Sequence, residues 1–330
     1  MKGQCVRGVR ASVKAGAMAG VMAYLFSVPQ ATADLALIPN QGDNTATLLE
    51  LGHKADATTV VVGEDPAGVA VLPELEQGFV TNVSTPSLTR IDLQTGTVID
   101  HLELGAGPLG IAADPHRRRL YVADWFEDRL YVVDAQRFAV IAHVEVGDAP
   151  AGVDLSPDGK WIAVANRDDH TVSLLDADAL EEVARIEVGE APFGVTFAAD
   201  SARLFVANVR SDDVSVINTK TRARIQTLKV GHYPYAIAHD PLRERLFVSN
   251  QQASSVSVLS LIDGRELKRI EDGEYPEGID INVAARRVYV ANWFSDSVSV
   301  IDADALTVID TLKTGSGPRG FGRFLAQDAE

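Results

Sequence analysis

One phrase returns along this chain at a fixed interval, and it restricts the fold more than any other feature. Val146-Gly147-Asp148-Ala149-Pro150-Ala151-Gly152 is a Val-Gly, two variable residues and a Pro-x-Gly. Its proline recurs at Pro66, Pro108, Pro150, Pro192, Pro234, Pro276 and Pro318, always 42 residues apart. A second fixed point keeps the same step: Asn40, Asn82, Asp124, Asn166, Asn208, Asn250 and Asn292. Seven copies without an insertion define an internal repeat, and a repeat of this length means an array of small units that cover one another's apolar faces.

Each unit holds four short alternating segments. In one they are Gly68–Leu72, Gly78–Asn82, Ser87–Leu93 and Val98–Leu104, rich in branched aliphatic and aromatic residues and separated by turn residues. Such runs, with turns every 8 to 12 positions, predict antiparallel strands. Four strands per unit predict an all-β fold, a seven-bladed β-propeller. The first repeat is out of phase: Leu35–Asn40, Thr45–Leu51 and Thr58–Val62 match the second, third and fourth strands only. The missing first strand stands at the other end, at Pro318–Phe324, so the C-terminal strand is expected to complete the N-terminal blade and remove the free sheet edges. The Pro of each Pro-x-Gly fixes φ at entry to the innermost strand, and the Gly lets backbones crowd near the axis. The mid-unit Asn or Asp is expected to hold its own loop, and Asp92, Asp134, Asp176 and Asp302 to open the next hairpin turn.

Residues 1–33 stand outside the repeat. Lys2, Arg7, Arg10 and Lys14 precede an apolar run, Ala15 to Val28, and Ala31-Thr32-Ala33 is a small-x-small cleavage pattern. These are the three parts of a secretory signal peptide. They predict a mature chain of residues 34–330, periplasmic or secreted, with no membrane span after cleavage. The single cysteine, Cys5, leaves with the peptide, so disulfides, thiolate metal sites and thioether-linked haem are excluded from the mature chain. Of 30 Lys+Arg and 46 Asp+Glu, four basic residues and no acid fall in the first 33 residues, so the mature net charge is −20. That surface repels nucleic acid, and Arg117-Arg118-Arg119 reads as a solvated charged turn.

Phe79-Val80-Thr81-Asn82, Tyr121-Val122-Ala123-Asp124, Phe205-Val206-Ala207-Asn208, Phe247-Val248-Ser249-Asn250 and Tyr289-Val290-Ala291-Asn292 resemble the signature of the YVTN β-propeller repeat proteins. Val214–Asn218 and Val298–Asp302 match that family's VSVID-like strand. The resemblance covers the whole mature chain. It implies an exported seven-bladed propeller, mostly without catalysis; related propellers are heavy subunits of periplasmic amine dehydrogenases or bind polymers, metals or proteins.

Positions that vary while their neighbours repeat point to function. After the fixed Asn the pairs include Val83-Ser84, Arg167-Asp168 and Gln251-Gln252, but Trp125-Phe126 and Trp293-Phe294. Around the fixed Pro stand His232-Tyr233-Pro234-Tyr235 and Glu274-Tyr275-Pro276-Glu277, and the closing segment brings Arg319. Tyr233, Tyr235, Glu274, Tyr275, Glu277, Trp293, Phe294 and Arg319 are therefore the candidate ligand- or partner-binding residues. Aromatic faces beside carboxylates suit a cation or an amphipathic partner; the same rings would equally plug the space between blades. Asp168, Asp169, His170 and His232 share that face, yet no two histidines have metal-motif spacing, and structural or solvated roles are expected. Nucleophile elbow, phosphate loop and dinucleotide fingerprint are missing from the sequence, so no catalytic residue and no cofactor is assigned. The expected role is a non-catalytic binding scaffold for a small ligand, a polymer or a periplasmic protein. The alternative is the propeller subunit of a periplasmic oxidoreductase, with the cofactor on another chain.

Overall fold

In the computed structural model the described residues, Met1 apart, are 34–51 and 57–326. The expected signal peptide lies outside them, as does the tail from 327 onward. Among the described residues no helix is long and apolar enough to cross a membrane.

The described chain forms seven four-stranded antiparallel sheets, each strand paired with its sequence neighbour. Blade 2 runs from Pro66 to Glu103, and blades 3 to 7 begin at Pro108, Pro150, Pro192, Pro234 and Pro276. Burial falls outward across each blade. In blade 2 the innermost strand Pro66–Leu72 is buried throughout, whereas the outermost, Thr97–Glu103, has no buried residue. An inner strand is flanked by neighbouring blades on both faces, so it is apolar nearly everywhere; an outer strand touches water. The core consists of apolar layers between adjacent blades. Ala70, Phe79 and Leu88 of blade 2 meet Ile111, Leu120 and Val133 of blade 3 in one layer.

The repeat's fixed residues do what close packing near the axis requires. A Cβ on Gly152 would sit 2.2 Å from the Phe193 carbonyl oxygen of the next blade, so Pro-x-Gly marks where neighbouring backbones touch. Asp92, Asp134, Asp176 and Asp302 accept backbone N–H bonds from the turns that follow them. Those bonds hold the carboxyls of Asp92, Asp176 and Asp302 below the usual range. The mid-unit Asn does more than the expected stitching of its own loop. Asn82 accepts from Gly63 N at 3.0 Å, in the loop entering its blade, and donates to Thr89 Oγ1 at 2.9 Å on the third strand. It fastens two loops of one face together.

Closure differs in detail from the expectation. Asn40 bridges Pro318, and Leu37 N donates to Phe324 O, but the strand that pairs with Leu35 and Ala36 is Leu325–Ala326, beyond the expected Pro318–Phe324. In blade 2 the residue five beyond Pro66, Val71, faces Gly78, four before Asn82. At closure the residue seven beyond Pro318, Leu325, faces Ala36, four before Asn40. Two extra residues therefore leave the strand. Gly322, at φ +135°, makes the excursion possible, since a side chain there would strike the Val69 carbonyl. The ring is still sealed, by Leu37, Ile38 and Leu48 of blade 1 packed with Val69 of blade 2 and Tyr289 and Val298 of blade 7.

On the face opposite the Pro-x-Gly loops, arginines tie blades together. Arg286 of blade 7 bonds both oxygens of the buried Asp240 of blade 6 at 2.8 Å each. Arg117, in the turn after Asp114 whose other residues are exposed, pairs with Asp114 at 2.9 Å and with Asp178 of the next blade.

Candidate functional site

The loops entering each blade and the loops between its second and third strands share one face, here the upper face. They are joined by backbone bonds repeated from blade to blade: Val83 N to Asp65 O, Arg167 N to Ala149 O, Trp293 N to Tyr275 O. The scaffold is thus the same everywhere, and the side chain one after the mid-unit Asn is free to vary.

In blade 7 this position opens a 3₁₀ turn, Trp293–Ser295. It sets Trp293 and Phe294 nearly parallel, their rings 5.8 Å apart, with Tyr275 at 6.1 Å and 4.9 Å respectively. Phe294 is 65% exposed and Trp293 only partly so. Tyr275 has φ +64°, a backbone region that costs a bulky residue about 1–2 kcal/mol. The residue before the proline shares this left-handed φ in other blades, at Asp65, Ala149, Ala191 and Tyr233, so the conformation belongs to the repeat.

Beneath this shelf lies a charged pair. Arg319 stacks its guanidinium 4.2 Å over Trp293, and its Nε is 3.1 Å from Oε2 of Glu277. That contact lacks hydrogen-bond geometry; Glu277 Oε1 accepts a 2.7 Å bond from Gln251. Glu277 is fully buried, and burial outweighs both partners, raising its pKa to about 7. The Trp293 face is therefore already occupied by an internal cation, and the expected carboxylate for a bound cation is largely spent within the protein. Glu274 is exposed at the rim, where its backbone holds Phe294 N and Ser295 Oγ.

The other candidates point elsewhere. Tyr235 joins Phe193 at 4.2 Å and Phe321 at 5.4 Å, and Phe193 meets Phe321 at 4.9 Å. With Ala67, Leu109 and Ala151, these rings fill the upper end of the axial channel. Burial raises the Tyr235 hydroxyl well above its usual range. Tyr233 packs against this plug and against His232. Trp125 caps it from the other side under Arg167, so that ring is a plug, while Phe126 stands 65% exposed away from the shelf. His170 accepts from Ala191 N, His232 pairs with Asp212, and Asp169 with Arg185. Among the described residues no three His, Cys, Asp or Glu side chains are placed to hold a metal ion.

Below the plug the channel opens into two adjoining cavities, about 210 and 310 Å³, which share Asp154, Asp280 and Arg323. Arg323 comes from the two-residue excursion at closure. Nothing in the repeat foretold it, but Asp154 and Asp280 had a signal. The equivalent residue, four beyond the proline, is Ala70, Ala112, Thr196 or Ala238 in other blades.

Residues 155–319 match the YNCE-like beta-propeller family. The chain belongs to that family. A search of curated proteins finds no match. Among solved structures, this YNCE-like propeller is similar to Kuenenia stuttgartiensis hydrazine synthase, with TM-score 0.70 and 20% identity over 77% of this chain and 88% of that one. A functionally unknown protein from Desulfotomaculum acetoxidans DSM 771 matches with TM-score 0.75 and 15% identity, over 86% and 98%. The dihydro-heme d1 dehydrogenase NirN in complex with DHE matches with TM-score 0.65 and 18% identity, over 88% of this chain and 66% of that one. At these identities the likeness is one of fold.

Proposed function

We propose that this protein is an exported, non-catalytic binding scaffold whose upper face docks a partner on the aromatic shelf of Tyr275, Trp293 and Phe294, with repeats of the YVTN type. One observation carries the reading: three rings are held together on a rigid loop frame with the outermost, Phe294, left 65% exposed, whereas the equally exposed Phe126 of blade 3 has no such cluster and other blades carry Ser84, Asp168 or Gln252. Exposed aromatic clusters on rigid scaffolds are typical anchors of interfaces. Arg319 and Glu277 support the shelf from below. Glu274 borders it, while Tyr233 and Tyr235 pack into the ring plug.

The test is purification from the native periplasm followed by identification of whatever travels with the protein. Phe294→Ala should cost about 2 kcal/mol of affinity for that partner, the size of an interface anchor. The melting temperature should stay unchanged, because an exposed ring contributes little packing. Trp293→Ala should lower both, since Arg319 lies on its face. Undiminished binding by Phe294→Ala would move the site elsewhere. The competing proposal, an oxidoreductase subunit with its cofactor on another chain, rests on two similar structures being enzymes by name. It requires the co-purified complex to absorb visible light; a scaffold alone should be colourless.

A further inference from the structure

In the lower channel two acids are bonded by backbone N–H groups but are short of counter-charge. Asp154 and Asp280 project from the innermost strands of blades 4 and 7, three blades apart in a ring of seven. Asp154 Oδ2 accepts from Phe197 N at 2.8 Å; Asp280 Oδ2 accepts from Phe324 and Leu325 N at 3.1 Å each, and its Oδ1 from Ile281 N at 2.9 Å. Among the described residues one cation, Arg323, serves both carboxylates. Arg323 Nη2 lies 3.6 Å from Asp154, and its side chain is 60% exposed to the channel. On the same lower side Arg286 makes two 2.8 Å bonds to Asp240 and is 17% exposed. Arg286 is a fastener; Arg323 makes one longer contact, to Asp154, and faces Asp280 at greater range.

The walls state what would fit. Asp154 and Asp280 outnumber the one guanidinium where the two cavities meet, and Glu74 lines the larger of them, so the walls offer an anion fewer donors than acids. Metal is disfavoured because no three ligating side chains converge among the described residues. The inner end of the 210 Å³ lobe is apolar, formed by Phe193, Tyr235, Phe321, Ile237 and Ile279. At that size the lobe lies below the about 300–1,000 Å³ of drug-sized sites, so the occupant is small.

We propose that this lobe binds a small primary amine carrying an apolar group, with its ammonium between Asp154 and Asp280 and its hydrocarbon against Phe193, Tyr235 and Phe321. The ammonium supplies the second cation that the two carboxylates lack. Burial raises the pKa of both carboxyls and Arg323 offsets that only in part, as expected of acids short of counter-charge. Arg323 competes for the same carboxylates and swings aside when the amine enters. The site lies on the other side of the ring plug from the upper shelf, so it stands or falls independently of that reading.

The experiment is calorimetric titration of the full mature chain with phenethylamine, 2-phenylethanol and 3-phenylpropionate. Saturable binding of the amine alone is expected. Asp154→Asn should weaken it at least tenfold, while Arg323→Gln should leave it unchanged or tighten it. Binding of the carboxylate, no binding of the amine, or equal amine affinity in Asp154→Asn would each overturn the proposal. Should Asp154→Asn fail to fold, Arg323→Gln decides by sign, because weaker amine binding there would mean that the arginine, not the carboxylates, holds the ligand.

Discussion

The closing segment sends an arginine to each side of the ring plug, and the two meet different fates. Arg319, above, is 13% exposed, stacked on Trp293 and set against a fully buried Glu277 that Gln251 also engages. Arg323, below, faces two carboxylates across open space and touches only one of them, at 3.6 Å. The residue types are the same, but the surroundings decide their role. Where aromatic rings exclude water, the pair becomes part of the wall and leaves a ring for contact. Where a cavity separates them, the charges remain available to a ligand.

Both arginines depend on one short stretch, so removing it has the largest effect. Deleting residues from 318 onward takes away Phe321, Phe324 and Leu325, all buried, and leaves Leu35–Asn40 as an open strand edge. The truncated chain should aggregate or show no cooperative melt. A truncation that melts like the full chain would mean that the segment is a removable insert, and the comparison between its two arginines would lose its basis.

A smaller effect separates fastener from free arginine. Arg286→Ala strands Asp240, which has no solvent exposure, and should cost about 3–5 kcal/mol of stability in denaturant unfolding. Arg323→Ala takes the one shared cation from Asp154 and Asp280, but its side chain is 60% exposed to the channel and water can reach the vacated place, so the loss should be clearly smaller than for Arg286→Ala. Comparable losses in the two variants would show Arg323 to be a fastener as well.

The fold was readable because geometry repeats: seven prolines in step, followed two residues later by six glycines and Ala236, mark the places where neighbouring backbones crowd near the axis. The shelf was partly readable, since Trp293 and Phe294 break the pattern at a loop position. Their partnership with Tyr275, Glu277 and Arg319 followed from the register, whereas Tyr233 and Tyr235 turn toward the plug, a direction that loop position alone does not fix. Asp154 and Asp280 are departures of the same kind on an inner strand, hidden among 46 acids. Arg323 was beyond reach, because its place depends on two residues leaving register after the last proline.

The pH dependence of stability tests whether the upper pair is truly spent. Burial raises the folded-state pKa of Glu277 to about 7, from 4.5. Between those values the folded chain binds a proton that the unfolded chain releases, so stability falls as pH rises through the window and levels off above it. At about 1.4 kcal/mol per unit the loss is on the order of 3 kcal/mol. Glu277→Gln is always neutral and keeps the acceptor for Gln251. It should match wild type at pH 4 and exceed it by roughly that amount at pH 8, and the difference between the two chains cancels the titration of every other acid. Equal stability at both pH values would mean that Arg319 compensates the buried charge completely. The upper pair would then be a finished ion pair, and its contrast with the undersupplied carboxylates below would be sharper still. A variant less stable than wild type at pH 8 would instead show that the charged pair holds the shelf together, and that Glu277 stabilises the fold by staying ionised.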